Sequence, residues 1–153
     1  MADFQKGLEA LEAGDYETAL RELRPLAEQG HADAQYYLGE MYAGGDGVAQ
    51  DSVQMAYWWH KAAEQGFAIA QYDLGVAAGN GCAKAQYYLG LMYASGKGVP
   101  KDYVAAHMWF NLAAAQEYED AAEHRDKVAE SMTPDQVAEA QRLTREWTEK
   151  HSK

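Results

Sequence analysis

The sequence predicts an all-α fold: a right-handed α-α superhelix of helix-turn-helix units, about nine helices in all, with a capping helix at the C-terminus. Three observations carry that expectation. The segment EQGHADAQYYLG, Glu28 to Gly39, recurs 36 residues later as EQGFAIAQYDLG, Glu64 to Gly75, and its end returns as CAKAQYYLG, Cys82 to Gly90. Glycine-bounded loops, AGGDGVAQD ending at Asp51 and ASGKGVPKD ending at Asp102, each precede an aromatic-rich helix. Helix formers dominate all 153 residues, with only three Pro, and 48% apolar content suffices for one continuous core.

The elements follow in order. Residues 3 to 13 and 16 to 29 form a helical hairpin, the second member of which has Glu22 where the next unit has Trp58. A terminal unit facing water accounts for that exchange. Pro25 lies inside the second helix and should bend it or remove a hydrogen bond near Arg21. In the first helix of the next unit, Ala34, Leu38 and Met41 make one apolar stripe at i, i+4, i+7, and Gly39 lets a neighbouring helix come close. The same positions recur as Ala70, Leu74 and Gly75, and as Ala85, Leu89, Gly90 and Met92. Gly44, Gly45, Gly47, Gly96 and Gly98 supply tight turns, after which Asp51 and Asp102 stand as N-caps. Trp58 matches Trp109 and Trp59 matches Phe110 in the second helices, where they read as the glue between units. Gly30 and Gly66 fit left-handed C-terminal caps.

The middle unit is short. Gly75 is followed by Gly90 only 15 residues later, where the period demands 36, so 21 residues are missing. The register implies that the sequence resumes at Ala77, near the end of a second helix, and that the first helix runs through Gly79 to Gly81 straight into the next. Either this break exposes an apolar strip or kinks the array, with self-association of two chains available to cover it, or the unit is merely shorter and regular. Toward the C-terminus, Thr133, Pro134 and Gln136 match a capping box, and Val137, Ala140, Leu143 and Trp147 line one face of a helix from 134 to about 150. The chain thus divides into a hairpin (3–30), a full repeat (31–66), a truncated repeat (67–82), a full repeat (83–117) and capping helices (118–153).

The first full unit resembles the Sel-1-like repeat (SLR) family, related to tetratricopeptide arrays, through Ala34, Leu38, Gly39, Tyr42, Gly45, Gly47, Val48, Asp51, Trp58, Lys61, Ala62, Ala63 and Gly66. The later unit resembles it through Ala85, Leu89, Gly90, Tyr93, Gly96, Gly98, Val99, Asp102, Ala106, Trp109, Ala113 and Ala114. Met55, where the family has alanine, is a packing change. The resemblance implies a scaffold acting in signalling, secretion, quality control or host contact, and a bacterial source.

Chemistry finds little footing. A formal net charge of −11 repels phosphate backbones and anionic lipid, which excludes nucleic acid as the expected partner. No 18-residue apolar run and no basic segment leading into one are present, so the chain reads as soluble, with its compartment open. The five His show no HExxH and no i, i+4 pair, no GxSxG or phosphate-cradling loop occurs, and Cys82 is the sole cysteine, read as inert packing. The expectation is therefore a non-enzyme with no cofactor, no metal and no membrane insertion.

A binding face is better supported. Positions that differ between units fall together on the first helices: Asp33, Tyr37 and Glu40; Ile69, Asp73 and Val76; Lys84, Tyr88 and Leu91. Freed from stacking, they can encode a protein or peptide partner or be plain solvent positions. Two other readings stay open. The resemblance includes cysteine-rich relatives credited with binding or hydrolysing cell-wall fragments or β-lactams, but those pair cysteines within units. Glycan stacking on exposed Tyr and Trp depends on whether Trp58 and Trp109 are accessible.

Overall fold

A computed structural model describes residues 1 to 152 and shows nine α-helices and no strand among them. The fold is all-α and solenoid-like in its repeats. Helices α1 (Phe4–Glu12) and α2 (Tyr16–Glu28) pair as a hairpin. Then come α3 (Ala32–Gly44), α4 (Ser52–Glu64), α5 (Ala68–Gly79), α6 (Ala83–Ser95), α7 (Tyr103–Ala115), α8 (Ala121–Ala129) and α9 (Pro134–His151). No described helix is long and apolar enough to cross a membrane. The chain forms two compact units, Met1–Leu74 and the part from Gly75 onward.

Local chemistry sets the helix ends. Asp51 accepts from the Val53 and Gln54 amides at 2.9 and 3.1 Å, and Asp102 from the Ala105 amide at 3.1 Å. These carboxylates satisfy orphan N–H groups and favour the helix dipole. Gly45 and Gly96, in the left-handed region at φ 71° and 75°, close α3 and α6. Thr133 and Gln136 exchange reciprocal bonds in a capping box with Pro134 in the first turn of α9.

In the first unit, Ala19, Leu23, Ala27, Ala34, Leu38, Met41 and Trp58 form the core. Trp59 lies over Gly39: a Cβ there would stand 2.5 Å from Trp59 Cδ1. In the second unit Phe110 covers Gly90 in the same way, 2.5 Å from a Cβ built there. Both rings pack on the first helix of their own repeat; Trp58 is buried in a core that includes α2, while Trp109 is half-buried. Helix α9 packs on α7 through buried Ala140, with Val137, Leu143 and Trp147 half-buried.

One expectation is corrected. Glu22 does not face water; it is 8% exposed. Helix α1 covers the end of the unit, and Asp3 N–H donates to Glu22 Oε2 at 3.1 Å while Lys6 Nζ stands 3.7 Å from Oε1. Burial is tolerated because the carboxylate is both bonded and paired. Helix α2 continues past Pro25 to Glu28.

Helix α5 is a composite. Its start repeats a first helix, whereas its end repeats the end of a second helix. Asn80 and Cys82 N–H donate to Ala77 O (3.2 and 3.0 Å) and Gly81 N–H to Ala78 O (3.0 Å). Gln65, Phe67 and Gly66 make the same bonds to Ala62 and Ala63 at the end of α4. The chain then enters α6 directly, with Cys82 at the cap position.

Candidate protein-interaction surface

The first helices are pinned from behind by a repeated amide staple. Gln35 Nε2 donates to Ala27 O at 3.0 Å, and Gln65 Nε2 donates to both Gly30 O and Gln35 Oε1 at 2.9 Å. In the second unit Gln86 donates to Ala78 O at 3.1 Å, and Gln116 to Gly81 O (2.8 Å) and Gln86 Oε1 (3.0 Å). Ala27 O and Ala78 O also accept from the Gly30 and Gly81 amides at 3.0 Å, and each glutamine pair fixes one first helix against the preceding turn.

A repeated tyrosine pins the same helices from the side. Tyr36 stacks on Trp59 at 6.4 Å between ring centres, touches Phe67 at 5.3 Å, and its hydroxyl donates to Asp73 Oδ2 at 2.9 Å. Tyr87 repeats this with Phe110 (5.8 Å), Tyr118 (4.9 Å) and His124, whose Nε2 is 3.5 Å from the hydroxyl. Each hydroxyl reaches a residue 37 positions on. Burial, then the Asp73 and Glu40 carboxylates, push the Tyr36 phenol well above its ordinary range.

The stripe read from the sequence is distributed as follows. In the first unit Asp33, Tyr37 and Glu40 are half-buried on α3, and on α5 Ile69 is exposed and Asp73 half-buried. Glu40 and Asp73 converge on Tyr36. Burial, with Asp73 and Asp46 close by, raises the Glu40 carboxyl against the bond from Tyr36. Tyr37 leans on Phe4 of α1, 6.2 Å between ring centres. In the second unit Val76 is exposed and Lys84 and Leu91 are half-buried, but Tyr88 is only 8% exposed. Lys84 Nζ lies 5.0 Å from the Tyr88 ring centre and 5.4 Å from that of Tyr118. Burial pulls the Lys84 ammonium down, but bonds to Tyr118 and Tyr88 outweigh it and the net shift is upward.

Tyr36, Tyr87 and the four glutamines are absent from that stripe because they repeat, and repeated positions read as packing. The constant spacing of Gln35 to Gln65 and Gln86 to Gln116, 30 residues in each case, is the signal that marks them as a pair. With Trp58 and Trp59 buried, the exposed aromatic surface is mostly tyrosine. No group of three or more His, Cys, Asp or Glu side chains among the described residues could hold a metal ion.

Helix α5 differs from α3 and α6. Tyr72 and Gly75 occupy the positions of Tyr36 and Gly39, and of Tyr87 and Gly90, yet Tyr72 is 72% exposed and nothing lies within 4 Å of a Cβ at Gly75. The second helix that would carry the covering ring is the segment the sequence lacks. Ile69 and Val76 beside them are 56% and 44% exposed.

Comparison with known proteins gives concordant results. The profile of the family described as "Sel1 repeat" matches residues 32–67, 68–82 and 83–118. An exopolysaccharide production negative regulator of Rhizobium leguminosarum bv. viciae is 38% identical over 63 residues, 41% of this chain and 24% of that protein. Its counterpart from Rhizobium meliloti (strain 1021) is 35% identical over the same shares. The chain therefore spans about a quarter of the length of these curated relatives. Among solved structures, a protective antigen of uropathogenic Escherichia coli displaying an SLR fold is 30% identical, over 95% of this chain and 29% of that one, at a TM-score of 0.46. A Sel1 repeat protein from Oxalobacter formigenes is 32% identical, over 71% of this chain and 98% of that one, at a TM-score of 0.38. With the profile matched across α3–α4, α5 and α6–α7, more than half of its length, the chain belongs to the Sel1 repeat family.

Proposed function

We propose that the chain is a non-enzymatic scaffold that docks a protein or extended peptide on the outward faces of its first helices. One observation carries this reading. The repeated side chains Ala34, Leu38, Met41, Ala85 and Met92 are fully buried, whereas Asp33, Tyr37, Glu40, Lys84 and Leu91 on the same helices keep solvent access. What stacking does not dictate is free to encode a partner. Asp33, Glu40 and Asp73 make the first unit's face acidic, which calls for a basic partner segment. A regulator named for its effect on exopolysaccharide output suits a scaffold that works through other proteins.

The test begins with a photo-crosslinking amino acid at position 33 in the source cells, with position 141 on α9 as control. The protein captured from position 33 alone is then purified and titrated against wild type and the Asp33→Lys/Lys84→Glu double variant. Loss of at least about tenfold in affinity, roughly 1.4 kcal/mol, is the expected outcome. Unchanged affinity would remove this face from the account.

A further inference from the structure

The second unit contains a cleft of about 510 Å³ between α7, α8 and α9. Asn111 on α7, Arg125 on α8, and Gln141, Thr144 and Arg145 on α9 line it with three alanines, and no carboxylate among the described residues does. The chain has 24 acidic against 13 basic residues, so two arginines without an acid give this wall the opposite sign to the general surface.

The two guanidinium groups are held differently. Arg125, its side chain 29% exposed, is fixed by two bonds: Nε donates to Asp126 Oδ1 and Nη1 to Asn111 Oδ1, both at 3.0 Å. Its Nη2 and the Asn111 amide nitrogen have no bond among the described residues. Burial, then the Arg125 charge, hold the His107 imidazole below its ordinary range while Asp126 opposes more weakly, so Arg125 keeps a net positive field despite its ion pair. Arg145 has neither an ion pair nor a hydrogen bond among the described residues, although Arg142 on the same helix is paired with both Glu139 and Glu146. The Thr144 hydroxyl is engaged by Ala140 O at 2.8 Å. What the cleft offers a ligand is therefore donors: two guanidiniums and the amide nitrogens of Asn111 and Gln141.

From this donor-rich lining we infer that the cleft binds the oxyanion of a small ligand, a phosphate monoester or a carboxylate. A guanidinium presents paired N–H groups that match two oxygens of either anion, and Asn111 and Asp126 hold that of Arg125 in place before a ligand arrives. Asp126 is 72% exposed, so solvent screens its repulsion of the anion. The alanines supply small apolar walls for the ligand's carbon skeleton, and the volume is that of a small-molecule site. A nucleic-acid backbone would still meet the net charge of −11. The cleft shares no residue with the first-helix stripe, and so does not rest on the scaffold reading.

Calorimetric titration of the full chain with glycerol 3-phosphate and with succinate, near neutral pH and at an ionic strength fixed with sodium chloride, tests it. At least one should bind with a Kd below about 1 mM, and the tighter of the two identifies the oxyanion. Arg145→Gln and Arg125→Gln should each weaken that binding at least about tenfold with helical circular dichroism unchanged. Arg142→Gln, whose guanidinium is already paired with glutamates outside the cleft, should bind as wild type does. Neither heat nor a rise in Tm from either ligand at about 10 mM overturns the proposal, as does undiminished binding by Arg145→Gln or an equal loss in Arg142→Gln.

Discussion

Three glycines occupy one position of the repeat, and alanine should act on them with opposite signs. Replacing glycine by alanine inside a helix is worth about 0.5–1 kcal/mol of stability where space allows. At Gly75 nothing lies within 4 Å of the new methyl, so the full gain is expected. At Gly90 the methyl would stand 2.5 Å from Phe110 Cε1, 2.6 Å from Cδ1 and 2.9 Å from Cζ, and Phe110 is fully buried. Overpacking of that kind costs about 1–3 kcal/mol, leaving a net loss of up to about 2.5 kcal/mol for Gly90→Ala. Gly39→Ala against Trp59 should behave alike. For a chain of this size each kcal/mol moves Tm by about 2–4 °C, so Gly90→Ala should melt up to about 10 °C lower and Gly75→Ala about 1–4 °C higher. Thermal melts by far-ultraviolet circular dichroism would measure both. Equal destabilisation at Gly75 and Gly90 would refute the reasoning, because it would mean that the space at Gly75 is filled.

Gln86→Leu keeps volume but removes the donor to Ala78 O and the acceptor for Gln116, and should cost about 1–3 kcal/mol in urea unfolding. Tyr36→Phe deletes the bond to the Asp73 carboxylate and should lose about 1–2 kcal/mol, while the same change at exposed Tyr72 should lose almost nothing. Burial, reinforced by Arg125 and opposed by Asp126, holds the His107 imidazole below its ordinary 6.5. Its neutral form is favoured on folding, so its contribution is complete above pH 6.5 and is lost as pH falls through the lower native value. Melts across this range should show Tm falling faster on acidification for wild type than for His107→Gln. Glu40, raised mainly by burial, contributes with the opposite sign and is common to both proteins.

Much of the fold is legible in the residues because the repeat aligns each element with a copy of itself. Gly39 and Gly90 anticipate the close approach of Trp59 and Phe110, and Asp51, Asp102 and Thr133 announce their helix starts. Periodicity fails where a neighbour from outside the repeat decides burial. Glu22 reads as exposed because its unit is terminal, yet α1 covers it and supplies its partners. Tyr37 and Tyr88 occupy equivalent positions but differ in exposure, since Lys84 lies over Tyr88 where the first unit has Asp33. The face on α5 shows in the sequence only as missing residues. Its consequence, an uncovered tyrosine and glycine, emerges once Trp59 and Phe110 are seen over Gly39 and Gly90.

The most direct test of the scaffold assignment is the affinity of the partner captured from position 33, measured by calorimetry against wild type and the Asp33→Lys/Lys84→Glu variant. Saturable binding to wild type and at least tenfold weaker binding to the variant, with equal melting temperatures, are expected. Equal affinity for both proteins would contradict it.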